Sequence, residues 1–354
     1  MGCKENTLTM KPSMVFNFQE LNSKPLEKEV EGLFFTDPIF IKLKNKDSNT
    51  AFGKISLIKI VNDKIYILDG KMKTLVVYGM DGNAISKIGS YGQGPREYLD
   101  IASFDVDKSG NIYTIDGRLD KLFIYDNKFN YVSSAKLPFE VDHIQLLENG
   151  HYMFALSSWN KGACEGQKIA ITDKEFNVIE SYLPYDEYRD DNYWISDYQL
   201  IKTAEYIIYN KPIDNNVYLF SLNGKLLKSV QIDFGSQNVA DEMKKDIERN
   251  LREFDNYSLL KNFVVITPRF ITGTIWRNRE SKIFVLDKLK SNVYLSKRLE
   301  DSDNTHLTGF RDSTIITYID PDYDYKPMEL TGLPIDIREH LDNGDFVLCI
   351  KHIK

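Results

Sequence analysis

The sequence has few of the residues that mark stapled, metal-bound or nucleic-acid-binding domains. Only three cysteines occur among its 354 residues, and none belongs to a C-x-x-C pair, which excludes the usual zinc and thiol-redox motifs. Lysine and arginine number 45 against 52 aspartate and glutamate residues, without a basic block. A nucleic-acid surface needs clustered basic residues, so we expect no nucleic-acid partner.

Long apolar runs and nucleotide-binding motifs are also missing. No segment approaches about 18 consecutive apolar residues, the length that a membrane-spanning helix needs, so we expect membrane contact only through a lipid anchor. The sequence contains no phosphate-binding loop and no G-x-S-x-G elbow. Its five histidines are widely scattered, and we expect neither a cofactor nor a bound metal.

Tyrosine and phenylalanine, in contrast, are abundant, with 21 and 20 copies. Both favour β-strands, and an internal repeat supports that assignment. Residues 64–78 (KIYILDGKMKTLVVY) match residues 111–125 (NIYTIDGRLDKLFIY) at an offset of 47 residues without a gap. Each copy contains strand-like runs separated by turns rich in Asn, Asp and Gly, and weaker copies follow to the end of the chain. A repeat of this length with four short strands is typical of β-propellers.

The repeat predicts an all-β fold, a six-bladed β-propeller of four-stranded antiparallel blades that forms a single domain over residues 26–354. The last copy supplies only about three strands. Because an open sheet edge invites aggregation, we expect the apolar segment 38–43 to form the outer strand of the last blade. One amphipathic helix is predicted near residues 237–256, with Ser236 or Asn238 as its cap.

The N-terminus carries a possible lipidation site. Met1, Gly2 and Cys3 resemble the end of a bacterial lipobox, in which a small residue and Gly precede the lipidated Cys. On this interpretation Cys3 is lipidated and residues 1–25 form a polar tether. The alternative is that Cys3 is an incidental thiol.

Two segments resemble known propeller families. Residues 110–116 (GNIYTID), with Asp107 before them, resemble the blade pattern of NHL-repeat propellers. Residues 89–98 (GSYGQGPREY) resemble the G-x-G-P-G-E-Y linker of six-bladed propeller lipoproteins of the Gram-negative cell envelope, with Arg96 in place of the family's Gly. The resemblance implies the fold and an outer-membrane, lipid-anchored location, on either the periplasmic or the surface side. It implies little about activity.

The unrepeated features of the sequence supply the candidate functional residues, because a residue repeated in several blades generally has a structural role. Asp69 and Asp116 recur at the end of each second strand, and we expect them to accept backbone N–H groups in the following turn. Unrepeated aromatic and charged residues lie in the linker and in two later loops, and they suit glycan or peptide recognition. The ligand-binding candidates are Tyr91, Arg96, Glu97, Tyr98, Trp159, Tyr188, Tyr193 and Trp194. The alternative is that these rings only cover the surface.

The sequence therefore favours a monomeric, non-enzymatic envelope lipoprotein that binds a glycan or protein through loops at one face of the propeller. No catalytic residue is assigned. A metal-dependent lyase or hydrolase that uses the central channel remains an alternative. A scaffold for protein assembly without a small-molecule site is another.

Overall fold

The apolar runs predicted as strands form six sheets in a computed structural model of the protein. The structure describes residues 12–45, 50–157, 160–184, 200–211, 213–245, 247–296, 306–311, 313–321 and 332–354. Contacts divide these residues into two compact units. Within the described ranges, the first unit spans residues 43–184 and 222–225, and the second spans residues 12–42, 200–221 and 226–354.

The N-terminal segment of the second unit contains five short elements. They are strand β1 (Met14–Asn17), a 3-10 helix (Phe18–Glu20), strand β2 (Asn22–Pro25), the single-turn helix α1 (Lys28–Glu31) and strand β3 (Ile39–Lys42). Strands β1, β2 and β3 do not pair with one another. Each is added instead to the edge of a sheet formed by later parts of the chain.

The first unit contains three sheets of four consecutive antiparallel strands. Sheet 1 consists of β4 (Leu57–Val61), β5 (Lys64–Asp69), β6 (Thr74–Gly79) and β7 (Ala84–Ile88). Sheet 2 consists of β8 (Ser103–Val106), β9 (Ile112–Asp116), β10 (Lys121–Tyr125) and β11 (Tyr131–Lys136). Sheet 3 consists of β12 (Val141–Leu146), β13 (Tyr152–Leu156), β14 (Gln167–Thr172) and β15 (Val178–Pro184).

The second unit contains the other three sheets. Sheet 4 consists of β16 (Leu200–Lys202), β17 (Ile207–Lys211), β18 (Asn216–Phe220) and β19 (Leu226–Asp233), with β1 at its edge. Two short helices follow, α2 (Asp241–Lys244) and α3 (Ile247–Asn250). Sheet 5 then consists of β20 (Leu259–Ile266), β21 (Phe270–Arg277), β22 (Glu280–Asp287) and β23 (Asn292–Leu295), with β2 at its edge. Sheet 6 consists of β24 (His306–Arg311), β25 (Thr314–Ile319) and β26 (Val347–His352), with β3 at its edge, and helix α4 (Ile335–Asp342) precedes β26.

The middle strands of each sheet carry the core. In β5, Ile65, Tyr66 and Ile67 are all inaccessible to solvent, so both faces of this strand are covered and its sequence is an almost continuous apolar run. The last strand of sheet 2, β11, instead contains only half-buried and exposed residues. The middle strands therefore supply most of the packing, whereas β11 contributes no fully buried residue.

Asp–Asn turns connect many of the strands, as the sequence predicts. Asp107 accepts hydrogen bonds from the backbone N–H groups of Ser109 and Asn111 and from the Asn111 side chain. Asp126 and Asp173 make the same set of bonds in their own turns. A carboxylate that binds its own turn in this way favours the tight reversal that a hairpin needs.

The predicted closing strand is confirmed. Strand β3 pairs antiparallel with β26, with Ile41 opposite Leu348 and Lys42 opposite Val347. Ile41 is buried, its neighbours Phe40 and Lys42 on the opposite face are half-buried, and Ile39 at the start of the strand is exposed, so the face that carries Ile41 is the better covered one at the centre of the strand. The N-terminal segment therefore supplies the fourth strand of the last sheet.

Part of the expected tether is also strand. Strand β1 pairs in parallel with β19, and β2 pairs in parallel with β23. The expected tether over residues 1–25 thus overlaps two edge strands, while its residues 1–11 lie outside the described residues.

The predicted helical insertion is present, but it is divided into short pieces. Helices α2 and α3 are one turn each, and a 3-10 helix follows over Leu251–Asn256. Val239 and Phe254, which lie near the two ends of the predicted amphipathic helix, are buried with Ile213 and Leu259. The predicted caps are wrong, because α2 begins after Ala240 without a side-chain cap and Asn238 accepts instead from the Phe234 N–H.

Candidate functional site

The linker between sheets 1 and 2, residues 89–98, is closed by its own backbone. The Tyr98 N–H donates to the Ser90 carbonyl at 3.1 Å, and the Gly92 N–H donates to the Tyr98 carbonyl at 3.0 Å. Gly89 has a φ of 66°, a left-handed conformation that glycine adopts without strain. These bonds join the two ends of the linker, so its tip is held as a compact loop.

Glu97 holds the tip of this loop from inside. Its Oε2 accepts a hydrogen bond from the Gly94 N–H at 2.8 Å, and its own N–H donates to the Gly94 carbonyl. A side chain at Gly92 would collide with the Glu97 carboxylate. Glu97 is therefore occupied in shaping the linker, and glycine at position 92 leaves room for its carboxylate.

Tyr98 is the anchor of the linker and is completely buried. A Cβ atom at Gly89 would lie 2.9 Å from the Tyr98 ring and 2.5 Å from the Tyr125 hydroxyl, so the glycine lets both rings pack closely. Burial raises the pKa of Tyr98 to about 12, and within the described residues its hydroxyl makes no hydrogen bond. The Tyr98 ring therefore serves packing and is not accessible to a ligand.

Tyr91 and Arg96, in contrast, face solvent. The Tyr91 side chain is 58% exposed, and the Arg96 guanidinium lies over the ring of Tyr131 in β11, 5.5 Å from its centroid. Gln93 is also exposed. The linker thus presents an aromatic ring, an amide and a stacked guanidinium on one rigid loop. We call Tyr91, Gln93, Arg96 and Tyr131 the linker surface.

The remaining site candidates lie outside the described residues: Trp159, Tyr188, Tyr193, Trp194 and Cys3.

The repeated aspartates have the structural role that the sequence predicts. Asp116 is inaccessible to solvent, and its Oδ1 accepts from the N–H groups of Arg118 and Leu119. Its Oδ2 accepts from the N–H groups of Leu99 and Asp100, which directly follow the linker. Asp69 makes the equivalent four bonds in sheet 1. These carboxylates therefore join each second strand to the segment that precedes its sheet.

A polar row that the sequence did not reveal crosses the first strands of sheets 1 to 3. In the strand register, Lys59 lies opposite Tyr66, Asp105 lies opposite Tyr113 and Gln145 lies opposite Met153. The three residues therefore occupy equivalent positions in the first strands β4, β8 and β12. The Lys59 ammonium donates to Asp105 Oδ1 at 2.7 Å. Asp105 Oδ2 accepts from the Gln145 side chain and from the Leu146 N–H. We call these three residues the polar row.

His143 and Asp142, which precede this row in β12, have shifted pKa values. Burial, with a smaller effect of Lys59, lowers the pKa of His143 to about 4. Burial raises the pKa of Asp142 to about 6, against the opposing effect of a hydrogen bond from the Ser157 hydroxyl. His143 is therefore neutral at neutral pH, and Asp142 titrates unusually close to neutrality for a carboxylic acid.

Across the ranges that the structure describes, no three His, Cys, Asp or Glu side chains are grouped as metal ligands. The helices in those ranges are all too short or too polar to cross a bilayer. Cys349 is buried in β26.

Comparison with known proteins supports the fold. The model of a family described as a six-bladed β-propeller matches residues 5–317, and the predicted fold class, six blades of four antiparallel strands, is confirmed. A presumed exported protein from Bacteroides fragilis has a similar structure, with a TM-score of 0.75 and 19% identity over 96% of this chain and 100% of its own. No curated protein matches the chain significantly in sequence.

Two other structures are less similar. A member of the DUF4221 family from Bacteroides vulgatus has a TM-score of 0.52 and 9% identity over 90% of this chain and 97% of its own. A virginiamycin B lyase from Staphylococcus aureus has a TM-score of 0.45 and 12% identity over 89% of this chain and 98% of its own. That value is too low to support an inference about activity.

Proposed function

This chain belongs to the DUF5128 family of six-bladed β-propellers, and we propose that it is a non-enzymatic binding protein of the cell envelope that binds a glycan through the linker surface. The observation that carries the proposal is the exposure of Tyr91 and Arg96 on a loop whose backbone and Glu97 hold it closed. A loop that is already ordered loses little conformational entropy when it binds, so more of the contact energy becomes affinity.

The chemistry of the linker surface suits a sugar. A tyrosine ring offers a flat apolar face and a polar tip, and the apolar face of a pyranose can stack on it. The Arg96 guanidinium and the Gln93 amide carry several planar donors and one acceptor, which match neighbouring sugar hydroxyl groups. Arg96 is oriented by the Tyr131 ring, so its donors are partly positioned before a ligand arrives.

A glycan array probed with the purified protein tests the proposal. We expect binding to one glycan class, with a loss of at least about tenfold in affinity in Tyr91→Ala and in Arg96→Ala, as for a residue worth about 1.4 kcal/mol. Tyr91→Phe should retain most of the affinity because it keeps the ring. Arg118→Ala removes an exposed arginine in the turn between β9 and β10, outside the linker surface, and serves as the matched control.

Two results would contradict the proposal. One is glycan binding that neither Tyr91→Ala nor Arg96→Ala weakens, which would place the site elsewhere. The other is an array without any binding combined with capture of a specific protein that these variants abolish, which would show the linker surface to be a protein-binding site.

The envelope location and the lipid anchor belong to the same proposal. A structural neighbour is described as a presumed exported protein, and Cys3 lies in a lipobox-like triplet. We expect the mature protein to partition into detergent and to carry an acyl-bearing Cys3 in peptide mass spectrometry. A free or disulfide-bonded Cys3 in protein isolated from the native cell would contradict lipidation, without bearing on glycan binding.

A further inference from the structure

Arg96 rests on an aromatic ring that is itself anchored in sheet 2. The Arg96 guanidinium lies over the Tyr131 ring, 5.5 Å from its centroid. The Tyr131 ring makes edge-to-face contacts with the buried rings of Phe123 and Tyr125, at centroid distances of 6.5 and 6.2 Å. The Tyr131 hydroxyl donates to the Ser134 hydroxyl at 3.1 Å. The ring is therefore fixed at both ends, and it restricts the positions that the guanidinium can take.

The N–H donors of Arg96 are available to a ligand. Arg96 is exposed, and among the residues that the structure describes its guanidinium makes no ion pair and no hydrogen bond. An arginine carries several N–H donors in a planar fork, and a contact with the face of a ring leaves those donors to other partners. The linker surface thus presents a positioned cation with unused donors.

The acidic residues that follow Arg96 in the chain already have partners. Glu97 accepts the Gly94 N–H inside the loop, and Asp100 forms an ion pair with Lys73 at 3.1 Å. The chain as a whole has a formal net charge of −7, but neither of these carboxylates is turned to Arg96. The positive charge of the linker surface is therefore uncompensated by its neighbours, and it favours an anionic group in the ligand.

Tyr91 and Arg96 lie close enough for one ligand to contact both. Tyr91 pairs with Tyr98 in a parallel β-bridge, and Arg96 is two residues before Tyr98. Bridged residues are about 4.8 Å apart and two residues span at most about 7 Å, so the Cα atoms of Tyr91 and Arg96 lie within about 12 Å of each other. A short oligosaccharide can reach from the one side chain to the other.

We propose that the glycan bound at the linker surface is acidic, and that a sugar carboxylate or sulfate ester accepts a bidentate pair of hydrogen bonds from Arg96 while another part of the glycan stacks on Tyr91. This inference rests on the proposed function and narrows it to one class of glycan. The planar fork of arginine matches two oxygens of an oxyanion. A neutral sugar hydroxyl cannot compensate the charge, so Arg96 distinguishes acidic from neutral glycans.

Titration with matched pairs of oligosaccharides tests this inference. Oligomers of galacturonate, glucuronate and mannuronate are each compared with the carboxyl-reduced oligomer of the same length, and sulfated galactose oligomers are compared with their desulfated forms. We expect at least one acidic oligomer to bind about tenfold or more tightly than its neutral counterpart, as for one charge-assisted contact. The two kinds of acidic oligomer distinguish a carboxylate ligand from a sulfate ester.

Substitutions at the linker surface assign the preference to one side chain. Arg96→Gln should bind the acidic and the neutral oligomer about equally, and Arg96→Lys, which keeps the charge but loses the fork, should keep a preference of only about a fewfold. Tyr91→Ala should weaken both oligomers by a similar factor, so that the preference remains. Arg118→Gln, outside the linker surface, should keep the full preference of the wild type.

The outcomes separate this inference from the proposed function. Neutral and acidic oligomers that bind equally well, both weakened in Tyr91→Ala, would overturn the acidic class and leave glycan binding in place. An acidic preference that persists in folded Arg96→Gln would also overturn the inference, because a charge elsewhere would then select the ligand. Absence of binding to any glycan, acidic or neutral, would overturn the proposed function together with the inference.

Discussion

Replacement of Asp116 by asparagine tests the structural role assigned to the repeated aspartates. The wild-type carboxylate accepts four backbone N–H groups, at 2.9 Å from Arg118 and Leu119, 2.7 Å from Leu99 and 3.3 Å from Asp100. Asp116→Asn keeps one acceptor oxygen and places an NH₂ group opposite two of these donors. A buried donor without a partner costs about 1–3 kcal/mol, so we expect a loss of about 2–5 kcal/mol for the pair.

Urea unfolding followed by tyrosine and tryptophan fluorescence measures this loss, from the shift of the midpoint multiplied by the slope. Asp126→Asn is the matched control, because Asp126 also accepts two backbone N–H groups in a turn but lies where water can replace the lost acceptor. Its effect should be much smaller. Equal losses for the two variants would refute the argument that burial of the carboxylate determines its contribution.

Asp116→Asn should also alter the conformation of the linker. Asp116 holds the N–H groups of Leu99 and Asp100, which directly follow it, whereas Asp69 holds Gly53 and Lys54 at the equivalent place in sheet 1. Asp69→Asn should therefore cost similar stability. Only Asp116→Asn should also weaken ligand binding at the linker surface.

Two further predictions concern the closing strand and the shifted carboxyl group. Ile41→Ala should destabilise the protein by about 2–4 kcal/mol, because Ile41 is 6% exposed. Ile39→Ala, two residues earlier in the same strand at 54% exposure, should change the unfolding midpoint little, and similar effects would contradict the argument that burial sets the contribution of Ile41. Asp142→Asn should stabilise the protein at about pH 8, by roughly 1–2 kcal/mol after allowance for its partial exposure. The folded-state pKa of Asp142 is raised to about 6, so ionised Asp142 destabilises the folded protein above that pH. Protonation removes this cost as the pH falls through about 6. The benefit should thus disappear near pH 4, and a benefit of the same size at both pH values would contradict this explanation.

The blades could be predicted because their turns and middle strands repeat in place. The aligned Ile, Tyr, Asp and Gly of residues 64–78 and 111–125 correspond to buried strand and turn positions that every blade needs. The closing strand could be predicted from the missing strand of the last copy. The helical segment was harder, because a one-sided apolar stripe indicates which residues are buried but does not show where the helix breaks between α2 and α3.

The candidate site could be predicted only in part. Spacing cannot distinguish Tyr91 from Tyr98 in the linker, although one is 58% exposed and the other is completely buried. That difference depends on the packing of Tyr98 beside Gly89 and Tyr125. The polar row was missed because Lys59, Asp105 and Gln145 differ in residue type and in spacing along the chain. Strand pairing alone shows that they are equivalent.

Hydrogen exchange with and without the best glycan from the array tests the central claim most directly. The account predicts slower exchange in peptides that cover residues 89–98 and the start of β11 when the glycan is bound, and no such change in Arg96→Ala. Slower exchange confined to other parts of the chain, with residues 89–98 unaffected, would contradict a site at the linker surface.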